Sequence, residues 1–273
     1  MTKVSSTLSN LSILGTLCRK NVSGSVAVQG VSGAIVESGA STDLQDLDGN
    51  TYTEVTIGTL TWLVENLKTT KYADGTPIPN VTDPATWAAL TTGAYNWYNS
   101  DITNKTAYGA LYNGFVLSNA KGLAAITKGG TLQTGWRVAA YVDFATLVAY
   151  LDGILLAGGK LKETGLTYWN TPNAGADNSV EWYGRGGGVI MDTGYSLLQK
   201  VFGMWWSNTE ESGNKHWRMY LTSTNSWSII EVIADVFGHS VRLVKDASEE
   251  DDNLLNSDGT PIMNEDGSLI LTQ

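Results

Sequence analysis

Two consecutive tryptophans, Trp205 and Trp206, lie in the run "VFGMWWSNTE" and constrain the fold more than any other feature of the chain. Residues 201–207 are predicted to form a strand, in which neighbouring side chains point to opposite faces. One ring must therefore face the core and the other the reverse side of the sheet. The pair is predicted to be framework, each ring burying on the order of 150–250 Å².

The remaining signals predict an α+β domain with two short helices. Asp83 as N-cap, Pro84 at the first helical position and Gly93 beyond the end indicate the first helix. The second covers residues 142–153 and stops at Gly153. A turn near Asp48 indicates an early hairpin. The predicted late strands are residues 201–207, 216–222, 227–234 and 239–245.

Composition excludes several classes of protein. A 42% apolar content over 273 residues is enough for a core, and the net charge of −10 argues against nucleic-acid or anionic-membrane partners. Cys18 is the sole cysteine, so neither an intrachain disulfide nor a thiolate metal cluster is possible. The N-terminal residues lack the apolar stretch of a signal peptide, and no segment approaches 18 apolar residues. We therefore expect synthesis in the cytoplasm without membrane insertion.

Three segments are predicted along the chain. Residues 1–42 are rich in Gly, Ser and Val and are predicted to be an extended segment for attachment and oligomerisation. Residues 43–246 form one aromatic-rich domain. Residues 247–273 comprise an acidic hinge and a hairpin-like tail with two Asp-Gly turns. We read the acidic run at residues 249–252 as hinge in preference to a site for a divalent ion.

Two motifs have a functional and a plainer interpretation. Asp46, Asp48 and Asn50 alternate as in a calcium loop, but the glycine and the bidentate glutamate of such a loop are missing, so a turn is favoured. The stretch "YGRGGGVIMDTG" lacks the features of a phosphate loop, and we expect a turn where backbones approach closely. Arg185 in that stretch is a candidate anchor to a carboxylate.

No catalytic constellation is visible. His216 and His239, the only two histidines, show no zinc spacing, and no nucleophile elbow is present. We interpret Glu210 and Glu211 as solvent-exposed charges on a turn. A glycosidase is disfavoured because no pair of carboxylates flanking a cleft can be singled out. We therefore expect no enzyme activity, no catalytic residue, no metal and no cofactor.

Several stretches, in order over about residues 46–246, together resemble the Fibrobacter succinogenes major paralogous domain of Bacteroidetes, Fibrobacteres and their phages. The stretches are "DLDGNTYTEVTIGTLTWLVENLKTTKYADGTPIPNVTD", "TTGAYNWYN", "YGALYN", "TGWRV", "AGGKLKETG", "YWNTPNAGADN", "WWSNTE" and "HSVRLVKD".

The resemblance implies a C-type-lectin-like, formylglycine-generating-enzyme-like fold with a twisted antiparallel sheet and extended N- and C-terminal appendages. In such folds a "GWR" strand leads into a helix and a "VRLV" strand closes the domain. Leu132-Gln133 and Leu243 stand where the family often has cysteine. The cysteine chemistry of the formylglycine-generating relatives is therefore not carried over.

The resemblance also implies a binding or display role. We expect a virion protein of a phage, such as a capsid-associated fibre, decoration or tail component, with a host surface glycan or protein as ligand. The alternative is a bacterial cell-surface or secreted adhesin. Expected partners are other virion proteins through both termini and further copies of this chain, as a homotrimer driven by residues 22–36. Nucleic acid is not expected as a partner.

The ligand-binding prediction falls on the late strands. Trp217, Tyr220, Asn225 and Trp227 flank a polar turn, and aromatic rings beside amides suit contacts with sugars and with proteins. The competing interpretation is that these rings complete the core.

Overall fold

The computed structural model describes residues 43–247 of the chain. The predicted attachment segment, residues 1–42, and the predicted tail beyond residue 247 lie outside the described residues. The extended appendages, the acidic hinge and self-association through residues 22–36 therefore stay predictions.

Short strands dominate the described part of the chain. The strands are β1 (Leu44–Gln45), β2 (Thr51–Tyr52), β3 (Glu54–Ile57), β4 (Leu60–Leu63), β5 (Tyr95–Asn96), β6 (Leu111–Asn113), β7 (Ile126–Lys128), β8 (Thr131–Gln133), β9 (Arg137–Val138), β10 (Val189–Ile190), β11 (Ser196–Leu197), β12 (Phe202–Glu210), β13 (Lys215–Thr222), β14 (Ser228–Ala234), β15 (Gly238–His239) and β16 (Leu243–Asp246). The helices are α1 (Pro84–Ala88), α2 (Asn104–Tyr108), α3 (Tyr141–Tyr150) and α4 (Ile154–Leu161), with 3-10 turns at Tyr98–Ser100 and Gly114–Val116.

The strands of the described residues form four antiparallel sheets, with strand orders β2-β1-β7-β8, β3-β4-β16-β9, β11-β10-β15-β6-β5 and β12-β13-β14. The second of these brings the last strand, β16, between β4 and β9 and so joins the two ends of the domain. The structure is an α+β domain that is mainly β, which confirms the predicted class.

The two consecutive tryptophans point to opposite faces of β12, as predicted. Both rings are fully buried, and they belong to separate core clusters. The indole N–H of Trp205 donates to Oδ1 of Asn66 at 2.7 Å, and that of Trp206 donates to the carbonyl oxygen of Tyr112 at 2.7 Å. Because β12 has a buried ring on each face, it separates two parts of the core.

Both predicted helices form, with different ends. Asp83 caps α1 by accepting from the main-chain N–H of Thr86 at 2.8 Å, but α1 ends well before Gly93. The second, α3, ends before Gly153, which has φ +88° and is the N-cap of the unpredicted α4. Among the described residues, no single helix is long and apolar enough to cross a membrane; only α3 and α4 together, bent by 92°, meet that length and composition.

Helix α4 contains two glycines, which have low helix propensity, and for this reason the sequence did not predict it. Packing requires both, since a Cβ on Gly159 would lie 2.4 Å from the carbonyl oxygen of Gly175. A Cβ on Gly158 would lie 2.3 Å from the carbonyl oxygen of Trp227, because the main chain before β14 runs directly against the helix.

The hairpin predicted near Asp48 is present between β1 and β2, and a second hairpin joins β3 to β4. The last predicted strand, residues 239–245, is wrong as a single strand. It divides into β15 and β16, and the residues between them include Arg242, whose buried guanidinium bonds to loop carbonyls.

Lys162 is a buried cation at the end of α4. Its Nζ donates to the carbonyl oxygens of Ala174 at 2.8 Å, Thr222 at 2.9 Å and Asn225 at 2.8 Å. Burial lowers the pKa of Lys162 to about 8. The side chain ties α4 to the loop before the turn at residue 175 and to the β13–β14 turn.

His239 is fully buried against Trp206, with ring centroids 4.5 Å apart. Its Nε2 accepts a hydrogen bond from Nη1 of Arg218 at 3.1 Å, since an arginine can only donate. Burial, followed by the positive charge of Arg218, holds the pKa of His239 well below its usual value. The ring is therefore neutral at physiological pH.

Candidate functional site

A cleft of about 260 Å³ opens where the chain leaves β4, passes α2 and meets the segment before β10. Three cations line it, namely Lys68, Arg185 and Arg242, against one carboxylate, Glu65. The excess of positive charge is notable in a chain with a net charge of −10. We call it the cationic cleft; its remaining lining residues are Thr53, Val64, Asn66, Thr106, Ala107, Gly109 and Tyr183.

Arg242 forms the buried side of the cationic cleft and is only 1% exposed. Its guanidinium donates to Oδ1 of Asn66 at 3.0 Å and to the carbonyl oxygens of Leu63, Trp182 and Tyr183 at 3.3, 2.6 and 3.3 Å. All four acceptors are uncharged, and no carboxylate of the described residues forms an ion pair with it. Burial lowers the pKa of Arg242 to about 9.

A guanidinium has five N–H donors, and the four bonds of Arg242 use four of them. One Nη2 hydrogen has no acceptor among the residues that the structure describes. A buried positive charge with an unused donor is the chemical feature that distinguishes this site, because buried charges are normally paired.

Asn66 positions Arg242 from one side. Its Oδ1 accepts from Arg242 and from the indole N–H of Trp205, and its Nδ2 donates to the carbonyl oxygen of Tyr108 at 2.8 Å and to Oγ of Ser240 at 3.2 Å. This buried amide therefore joins the cleft to the tryptophan core.

Residues 181–183 position Arg242 from the other side. Glu181 and Tyr183 have φ +55° and +50°, a region that non-glycine residues rarely occupy. This backbone aims the carbonyls of Trp182 and Tyr183 at Arg242, and the ring of Trp182 lies 3.8 Å from the centre of the guanidinium. Strain of this kind costs of order 1–3 kcal/mol per residue and often accompanies functional sites.

Arg185 lies at the more open side of the cleft, with 25% of its side chain exposed. It forms an ion pair with Glu163, donates to the carbonyl oxygen of Ala107 at 3.0 Å and stacks on the ring of Tyr168 at 3.8 Å. The prediction that it anchors to a carboxylate is confirmed. Close backbone approach is confirmed too, since a Cβ on Gly186 would lie 2.8 Å from another main chain.

Lys68 and Glu65 do not neutralise each other within the described residues. Nζ of Lys68 donates to the carbonyl oxygen of Thr51 at 3.0 Å and lies 4.7 Å from the ring centre of Tyr52. Burial lowers the pKa of Lys68, against the nearby charge of Glu65. Glu65 accepts from the main-chain N–H of Thr53 at 2.8 Å. The carboxylate is thus held on the rim of the cationic cleft.

The structure does not bring the four predicted ligand residues together. Trp217 and Tyr220 are three positions apart in β13, so they face opposite sides of the sheet. Trp217 is half-buried against Tyr141, with ring centroids 4.7 Å apart. Asn225 and Trp227 lie two residues apart in the turn, where Oδ1 of Asn225 accepts from the N–H of Trp227 at 2.9 Å. The four residues therefore do not share one face of the sheet, and their role as ligand contacts stays a prediction.

Trp227 is 48% exposed, so it does not complete the core. Asn225 is held by the bond from Lys162 to its carbonyl oxygen at 2.8 Å. Whether this turn or Trp217 binds a ligand stays a prediction.

The favoured turn at Asp46 is present. The carboxylate accepts from the main-chain N–H groups of Asp48 and Asn50 at 2.9 and 3.0 Å, and from the hydroxyl of Tyr52 at 2.6 Å. Over residues 43–247, no three His, Cys, Asp or Glu side chains cluster as a metal site would require.

Sequence reasoning missed the cationic cleft. Its members come from residues 53–68, 106–109, 183–185 and 242, which are distant in sequence. One local signal was present: Arg242 is a single charge inside the apolar stretch "SVRLV". An arginine at a position that the pattern predicts to be buried indicates either a buried ion pair or a site for an anion.

Fold and cleft together define a class: a mainly antiparallel α+β domain with a tryptophan-rich core and a cationic cleft. The chain belongs to the Fibrobacter succinogenes major domain family, whose model matches residues 55–245. No curated protein and no solved structure matches the chain significantly.

Proposed function

We propose that this domain is a non-enzymatic binding module whose cationic cleft takes one anionic group, the carboxylate or sulfate of an acidic surface glycan. The observation that carries the proposal is Arg242, a buried guanidinium that has no paired carboxylate and an unused Nη2 donor among residues 43–247. An oxyanion would neutralise the unpaired charge and accept from the unused donor, and charge-assisted bonds to a guanidinium are short and strong.

Arg185 supplies the second contact. Its Nε and Nη1 are engaged by Glu163 and Ala107, whereas Nη2 has no acceptor among the described residues. With Lys68 on the same cleft, the anion meets three cations, while Glu65 is placed to accept from a sugar hydroxyl. This combination favours an acidic sugar over an isolated inorganic ion.

The positions of the groups that could act as acid or base favour binding over catalysis. Nδ1 of His216 and Oδ1 of Asp235 lie 2.7 Å apart, but both side chains are only 2% exposed. Neither residue lines the cationic cleft, so a ligand bound there does not meet this pair. The cationic cleft has a single carboxylate, Glu65, whereas hydrolysis of a glycosidic bond ordinarily uses a pair of carboxylates.

A C-type-lectin-like fold is part of the proposal. Its support is the connection of β9, from the stretch "TGWRV", into α3, and the pairing of β16, from "VRLVKD", with β4 and β9. These are the places that the resemblance assigns to a strand before a helix and to a closing strand.

The affinity test compares D-galacturonate with its uncharged methyl ester by titration calorimetry. We expect the acid to bind and the ester not to bind, with Arg185→Gln weakening the acid about tenfold or more. Lys128→Gln removes the same charge at an exposed site away from the cleft and should leave the affinity within about twofold. Equal binding of acid and ester, or equal losses in the two variants, would refute the cationic cleft as the site.

For the biological setting, we propose a phage virion protein that displays this domain, with a bacterial surface adhesin as the alternative. The support is the family resemblance together with the binding role proposed above. Mass spectrometry of purified particles should detect the chain. Its absence from particles, with labelling of the chain on intact cells, would favour the adhesin.

A further inference from the structure

A second cleft, of about 310 Å³, lies where residues 116–124 pass β9 and the outer part of β12. Apolar side chains including Val116, Leu117 and Val138 form much of its lining, while Trp136 and Asn208 add polar groups. We call it the neutral cleft, because its one charged lining residue is already paired.

That charged residue is Arg137. It forms an ion pair with the buried carboxylate of Asp143 and a longer one, at 3.5 Å, with Asp246. The neighbouring ammonium of Lys245, 4.7 Å from the ring centre of Trp136, is paired with Glu54 at 3.0 Å. The neutral cleft thus lacks the unpaired cation that defines the cationic cleft.

The indole N–H of Trp136 is buried and has no acceptor among residues 43–247. Trp62 and Trp182 share this state, but of the three only Trp136 lines one of the two clefts. An unpaired buried donor costs about 1–3 kcal/mol, so a ligand that supplies an acceptor gains affinity.

Asn208 provides the complementary group. Its main-chain N–H donates to the carbonyl oxygen of Ala139 at 2.7 Å. Its exposed side-chain amide has no hydrogen-bond partner within the described residues. A primary amide can both donate and accept, which is the requirement for a hydroxyl.

We infer that the neutral cleft binds one uncharged sugar ring. The apolar lining receives the C–H face of the ring, and its hydroxyls bond to the indole N–H of Trp136 and the amide of Asn208. The volume is at the lower end of the range of about 300–1,000 Å³ for small-molecule sites, which suits a single ring. This second site is independent of the anion in the cationic cleft.

The test follows the indole N–H signals of the ¹⁵N-labelled protein by NMR during titration with methyl glucosides, galactosides and mannosides. The signal of Trp136 is assigned by its loss in Trp136→Phe. At least one of these sugars should shift it saturably, and Asn208→Ala should weaken that sugar about fivefold or more.

Two variants sharpen the outcome. Leu117→Trp fills the neutral cleft and should abolish the shift, while Arg185→Gln changes only the cationic cleft and should leave it unchanged. If no sugar of the panel shifts the signal, or if Asn208→Ala binds as well as the native chain, the inference is wrong. Asn208 is exposed, so its variant remains informative even if Leu117→Trp fails to fold.

Discussion

Replacing Asn66 by leucine removes the amide that joins the cationic cleft to the core. The change leaves three strongly bonded groups without this partner: the indole N–H of Trp205, Nε of Arg242 and the carbonyl oxygen of Tyr108. Each unsatisfied buried group costs about 1–3 kcal/mol, so the sum is about 3–9 kcal/mol. Burial of the leucine side chain returns about 1.5–3 kcal/mol.

The free energy of unfolding of Asn66→Leu should therefore fall by about 2–6 kcal/mol, a large part of the stability of about 5–15 kcal/mol typical of a domain. Urea unfolding followed by tryptophan fluorescence measures it. Asn80→Leu is the matched control, because Asn80 is exposed and its bond to the carbonyl oxygen of Tyr95 is 3.2 Å long. A loss below about 1 kcal/mol, equal in the two variants, would refute the role given to Asn66.

Three further predictions concern buried groups. In the unfolded chain His239 takes up a proton near pH 6.5, whereas in the folded chain it stays neutral, so the free energy of unfolding should fall as the pH drops below about 6.5. Urea unfolding from pH 5 to 8 should show a weaker dependence of this free energy on pH for His239→Gln than for the native chain. An equal pH dependence in the two proteins would contradict this. Lys162→Met leaves three carbonyl oxygens without their donor and should lower the free energy of unfolding by about 3–5 kcal/mol in the same assay. An unchanged free energy of unfolding would show that the ammonium is dispensable. Gly158→Ala meets the carbonyl of Trp227 and should cost about 1–3 kcal/mol, whereas Gly187→Ala, with 3.4 Å to its nearest neighbour, should cost less; equal thermal shifts would count against the close approach.

The sequence predicted those parts of the fold that depend on local rules. The alternation of side chains in a strand placed Trp205 and Trp206 on opposite faces, and the cap at Asp83 located the start of α1. Helix α4 was missed because its glycines contradict helix propensity and are explained only by contacts distant in sequence, such as that of Gly158 with Trp227.

The alternation of side chains in a strand also separates two of the predicted ligand residues. An odd separation of three residues places Trp217 and Tyr220 on opposite faces of β13. The cationic cleft could not be assembled from sequence, because Lys68, Arg185 and Arg242 meet only through the tertiary fold. A lone arginine between apolar residues was the one visible trace of it.

The central claim is that an acidic sugar binds where Arg242 has an unused donor. Crystals soaked in D-galacturonate test it most directly, because electron density locates the carboxylate without any substitution. We predict a carboxylate oxygen within hydrogen-bonding distance of Nη2 of Arg185 or Arg242, inside the cationic cleft. A sugar bound instead beside Trp217 or Trp227, with the cleft empty at saturating ligand, would contradict the account.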